Sequence, residues 1–223
     1  MRHAARSLAI CLLATTISGC AVTPRHHLVA TVEVPEDPGR AWKERIEAAD
    51  TDRLDALPAR WPAALAAARP RFAAMLAKEG GLLDPARALP YPALPPGSYH
   101  CRAVKLGAAG PRQPAYRSFP PAFCYVGSES DAQSFTKQTG TERPAGWLYP
   151  DGARRMVFLG AFAEGGASAP VYGAAHGRNA LGVVERIGHF RWRLTLVPAD
   201  GSAQLTVYDL TPVPVEGQLP ETE

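Results

Sequence analysis

The 223-residue chain has almost no surplus of charge: 24 Lys and Arg stand against 21 Asp and Glu, a formal charge of +3. A dedicated nucleic-acid binder neutralises phosphates with a strong basic excess, so this balance argues against one. Cysteine is scarce, at four residues. A chain of this length buries about 70% of its unfolded surface and forms a core without covalent staples. Gly and Pro, at 20 and 22, fall short of low-complexity levels, and 46% hydrophobic residues exclude a wholly disordered chain. No P-loop, G-x-G-x-x-G, H-E-x-x-H, G-x-S-x-G or C-x-x-C occurs, which removes the common phosphate, dinucleotide, zinc and hydrolase signatures. His100, His176 and His189 are scattered, with no carboxylate at ligand spacing, so neither a metal nor a cofactor is expected.

What is present begins with a leader. Arg2, His3 and Arg6 form a basic start, and Leu8 to Thr16 an apolar stretch too short for a bilayer, which needs about 20 residues. Ile17-Ser18-Gly19-Cys20 then resembles the bacterial lipobox, in which small residues precede the cysteine whose thiol receives the diacylglyceryl group. The reading is a lipoprotein signal peptide over 1–19 and a mature chain starting at lipidated Cys20. Losing Arg2 and Arg6 leaves 22 bases against 21 acids. Ala21 stands where an inner-membrane retention signal usually shows Asp, which implies the outer membrane with the domain on its periplasmic face. Cys11 departs with the leader, so Cys101 and Cys124 remain. In an oxidising compartment two thiols most simply pair, and neither sits in an activating motif that would make it a reactive nucleophile.

Residues 20–40 read as the lipidated cysteine and a flexible tether, with Pro24, Pro35, Pro38 and Gly39 breaking any periodicity. A single globular domain is expected over 41–212, helical over 41–79 and β-rich over 98–212, with a frayed tail at 213–223. Thr51 is a candidate helix cap and Pro58 a helix stop. Trp61, Leu65, Ala68, Phe72, Met75 and Leu76 form an apolar stripe at helical spacing. Pro70 predicts a kink, and Gly80-Gly81 ends the helix. A proline-studded connector covers 82–97.

From Tyr99 the chain turns to short β-like runs near 99–106, 114–118, 122–127, 132–138, 145–149, 154–162, 180–187, 190–197 and 203–210. Turn residues separate them, at spacings that suit an antiparallel barrel or bent sandwich of about eight strands. The fold class is α+β, a helical segment packed on that sheet. The clearest hairpin places Gly188-His189 in a two-residue type II′ turn, which pairs Glu185 with Trp192 and Val183 with Leu194. In that register Arg186, Arg191 and Arg193 share the other face, which meets water or a polar partner. Gly165–Asn179 is a long Gly/Ala/Ser loop of the kind that forms lids and binding loops.

Several linked strings carry a resemblance. They are Gly97-x-Tyr99-x-Cys101-Arg102-x-x-Lys105-Leu106-Gly107, Lys137-x-Thr139-Gly140 with Arg143, Phe158-Leu159-Gly160, Tyr172-Gly173, Val184-Glu185-Arg186-Ile187-Gly188 and Arg191-Trp192-Arg193-Leu194. Together they resemble an exported bacterial family known as domain of unknown function 4893, over about residues 41–212. The resemblance implies no activity, and the lipobox is not taken as general to the family.

Ser134-x-x-Lys137 matches the S-x-x-K of penicillin-binding proteins in form only, because on a strand those positions point to opposite faces. Glu185 is the most informative polar residue, since its phase sets it among Leu181, Val183 and Ile187. A carboxylate there needs a partner. Arg102, on a face with Val104 and Leu106, is the first candidate and Arg143 the second. The three form either an internal ion pair or the lining of a polar pocket. The expected function is non-enzymatic, the binding of a small ligand or an envelope protein; the alternative is an envelope hydrolase with an unrecognised polar site.

Overall fold

The computed structural model describes residues 41–214, apart from 109, 111, 130, 131, 176 and 200–203. The expected leader, Cys20 and the tether lie outside the described residues, as does the tail beyond 214. Its helical part comprises α1 (Ala48–Asp55) and α2 (Leu57–Glu79), followed by a 3-10 turn over Gly80–Leu83. Residues 41–46 form turns rather than helix. Thr51 lies inside α1 and donates its hydroxyl to Glu47 O, so it is no cap. Pro58 opens α2 instead of closing α1, because a first-turn amide has no helical acceptor to lose. Pro70 breaks α2 as expected: Phe72 leaves helical geometry at φ −126°. The stripe is buried at Trp61 and Ala68 and half-buried at Leu65, Phe72 and Leu76, whereas Met75, past the kink, is 49% exposed.

Eight antiparallel strands close into one barrel, each hydrogen-bonded to its neighbours in chain order and β8 back to β1. They are β1 (Gly97–Leu106), β2 (Tyr116–Glu129), β3 (Ala132–Lys137), β4 (Arg143–Pro150), β5 (Arg155–Ala163), β6 (Asn179–Gly188), β7 (Arg191–Val197) and β8 (Leu205–Pro212). The two expected runs at 114–118 and 122–127 are one strand, continued through Phe119-Pro120-Pro121, and the ladder with β1 shifts there between Arg102 and Val104. Two strands approach closely where Gly146 meets Gly160: a Cβ on Gly160 would lie 2.3 Å from Ala145 O, and one on Gly146 2.3 Å from Leu159 O.

Alternation along the strands builds two cores. Tyr99, Cys101, Cys124, Phe135, Leu148, Phe158, Trp192, Leu194 and Tyr208 point inward and pack most of the barrel. Leu94 of the connector joins this core, and Gln133 Nε2 donates to its carbonyl at 2.7 Å. The outward faces of β5, β6, β8 and β1 carry Val157, Leu159, Leu181, Val183, Val207 and Val104, which pack under Trp42, Leu54, Leu57, Trp61 and Leu82 of the helical segment. Over β2, β3 and β4 this cover thins: Tyr116 and Tyr149 still pack against the helical core, whereas Phe123 and Tyr125 stand exposed. The disulfide expected between Cys101 and Cys124 is present inside the barrel, linking β1 to β2. Val213, expected to fray, is buried and donates its N–H to Ser98 O at 2.9 Å.

A candidate binding groove on the uncovered wall

Three charged clusters tie the chain together, and they place the sequence-derived residues apart. Glu185 does not meet Arg102 or Arg143. Its carboxylate accepts from Arg193, with Nη2 2.7 Å and Nε 2.8 Å from Oε2. The cause is a bulge: Gly188 pairs with Arg191 and Arg186 with Trp192, which leaves Ile187 extra. The tight turn is His189-Phe190 rather than Gly188-His189. Glu185 therefore opposes Arg193, and Trp192 turns into the barrel. Arg193 is 0% exposed, on the helix-covered face rather than in water. Its remaining N–H groups donate to Leu82 O, Asp84 O and Pro85 O, and its guanidinium lies 5.0 Å from the Trp61 ring centre.

Arg102 instead holds the end of α2. It donates to Glu79 Oε1 at 2.9 Å, to Asp209 Oδ2 at 3.1 Å and to Ser118 Oγ at 2.8 Å. Tyr116 OH donates to Glu79 Oε1 at 2.6 Å, and Arg191 reaches Asp209 at 2.7 Å. Burial pushes the Glu79 carboxyl up, but the Arg102 and Tyr116 hydrogen bonds and the Arg102 charge outweigh it and hold it below the ordinary carboxylate value. Both clusters are staples between helix and wall. Sequence reading missed Glu79, Asp209 and Arg193; alternation in β7 was the available signal, once the bulge is allowed for.

Arg143 sits elsewhere, at the start of β4, beside a groove of about 760 Å³. The groove floor is the outer face of β3 and β4: Ser134 and Thr136 from one strand, Trp147 and Tyr149 from the other. Its far side is the long loop, here 166–172. Arg143 Nη2 donates to Gly165 O and Ala167 O and so pins that loop. At the other end Tyr172 OH donates to Asp50 Oδ2 at 2.6 Å and accepts from Glu47 N at 3.1 Å. Burial, then the Asp50 hydrogen bond, push the Tyr172 phenol up, so it keeps its proton. Asn179 completes the tie, accepting from Gly173 N at 3.0 Å and donating to Glu47 Oε2 at 3.1 Å.

At the adjoining barrel mouth Lys137, 6% exposed, donates to Thr141 O. Desolvation lowers the pKa of its amine, only partly countered by Glu142. Ser134 and Lys137 lie three apart on β3 and so on opposite faces, which disposes of the S-x-x-K chemistry. Among the described residues no group of three or more His, Cys, Asp or Glu is placed to hold a metal ion.

The comparisons with known proteins add a family but no activity. No curated protein matches the chain. The family match runs over residues 42–210, from the first turns before α1 into β8, and on that span the chain belongs to the family of the domain of unknown function DUF4893.

Proposed function

We propose that this is a lipid-anchored binding protein of the periplasmic face of the outer membrane, non-enzymatic, which takes a ligand in the groove on its barrel wall. The observation that carries this is the contrast between two spaces. Most of the barrel interior is occupied by its own side chains, with smaller recesses of about 380 and 280 Å³ at its mouth, whereas the outer wall beside the pinned loop is open over about 760 Å³. A concave, partly apolar site with a few fixed polar groups is the usual form of a ligand site. The anchoring half rests on Ile17-Ser18-Gly19-Cys20, and three acyl chains at about 0.8 kcal/mol per buried methylene make such an anchor practically permanent.

Each half has its own experiment. Labelled fatty acid is expected in the wild type and not in Cys20→Ser; label in both or neither removes the anchor. For the groove, tryptophan emission is the readout, because Trp42, Trp61 and Trp192 are buried and Trp147 is half-exposed in the groove. Purified full-length protein is titrated with soluble peptidoglycan fragments, lipopolysaccharide and a casein peptide digest. An emission shift with one of them, lost in Trp147→Phe, supports the site. No shift with any, or a shift that survives the substitution, overturns it.

A further inference from the structure

We infer that the groove binds an acidic saccharide, an inference that rests on the ligand-binding reading above and assigns it a chemical class. The first argument is charge. Arg45, Lys137 and Arg143 contribute to the described lining, and no Asp or Glu does. Lys137 is spent on Thr141 O, so the two arginines carry the attraction. Each is held by backbone: Arg143 through Gly165 O and Ala167 O, Arg45 through Ala41 O at 2.9 Å. A guanidinium has five N–H donors, and these bonds use only part of each fork, so a pre-oriented face remains for an oxyanion.

The second argument is the rings. Trp147 and Tyr149 are two residues apart on one face of β4, about 7 Å along the strand. The Arg45 guanidinium already covers Tyr149, 5.5 Å from its centre, which leaves Trp147 as the open ring. Such a ring takes a flat apolar face. The third is the row of Ser134 and Thr136 along β3 with Gln138 just past its end, hydroxyls and an amide that both donate and accept. A polyphosphate offers no apolar face to Trp147. An acyl chain leaves the polar row unpaired. A neutral sugar leaves the arginines without an anion. A pyranose bearing carboxylate or phosphate satisfies all three, and the two anions share the chemistry.

The test reads Trp147 emission of the full-length protein against oligogalacturonate, a phosphorylated glucosamine disaccharide, a neutral malto-oligosaccharide and inorganic polyphosphate. At least one acidic sugar is expected to bind about tenfold or more tighter than the neutral sugar and polyphosphate, and to weaken as salt is raised. The stronger of the two identifies the anion. Arg45→Gln, which leaves the Arg143 tie to the loop intact, is expected to weaken that binding about tenfold, and Trp147→Phe to abolish the shift. Neutral sugar or polyphosphate binding as tightly as the acidic sugars overturns the inference. Silence from both acidic sugars while the peptide digest still shifts Trp147 overturns the ligand class and spares the groove; silence toward everything overturns both.

Discussion

Arg193 and Glu185 face one another across the β6–β7 hairpin, their charged groups 2.7 Å apart beneath the helical segment. The arginine is fully buried and the carboxylate nearly so, at 16% side-chain exposure. Removing one member of such a pair typically costs about 3–5 kcal/mol, because the survivor is left without its counter-charge. Glu185→Gln is therefore expected to lower stability by about 3 kcal/mol in urea unfolding. Glu164→Gln breaks only the surface pair with Arg178 and should change it by less than about 0.5 kcal/mol. Equal midpoints for wild type and Glu185→Gln would show that the pair holds nothing.

Acid should act through Glu79. Its carboxyl lies below the ordinary value in the folded protein, burial being outweighed by Arg102 and Tyr116. A depressed carboxyl stabilises fully above its unfolded pKa, about 4.3, and that contribution is lost as pH falls through the folded value. Urea midpoints should therefore decline below about pH 5. Glu79→Gln should be less stable at neutral pH and have a shallower acid limb. Parallel curves for the two proteins would remove Glu79 from the account.

The disulfide closes a loop with 23 residues of separation between neighbouring strands. Chain entropy assigns such a cross-link roughly 3 kcal/mol. The Cys101→Ser, Cys124→Ser double variant is expected to unfold that much more readily, and the wild type to behave like it once reduced. No difference between oxidised and reduced protein would count against this.

Gly160 is expected to tolerate no side chain. Alanine there would drive Cβ against Ala145 O on the adjacent strand, and backbone cannot swing aside as a side-chain tip can. A loss of at least about 2–3 kcal/mol is expected. Gly166→Ala, where a Cβ meets open space, is the matched control in the same unfolding assay.

The barrel class, the kink after Pro70 and the Cys101–Cys124 bond were legible because each rests on local pattern or simple pairing. The hairpin register was not. Gly188 reads as the first residue of a turn, and nothing in the string marks Ile187 as extra. That one residue moves Arg193 from the expected wet face to a buried one opposite Glu185, and the partner was missed with it. Trp147 and Tyr149 alternate plainly along β4, but what leaves Trp147 open while Tyr149 is covered is where the helical segment docks. Docking is a long-range choice, made by Trp61 and Ala64 against Val183 and Val207, and no window of sequence displays it.

Closure of the barrel also decides how anything can be recognised. Every strand is hydrogen-bonded to a neighbour on both sides, and the longest stretch laddered on one side only, Tyr116–Ala122 of β2, contains Pro120 and Pro121, which have no amide to offer. An incoming chain therefore finds no long, proline-free edge on which to lay down a ninth strand, the route by which many extended peptides gain affinity from main-chain bonds alone. Recognition falls to side chains, and selectivity can then be retuned by single substitutions on the outer wall without rebuilding the sheet that carries them.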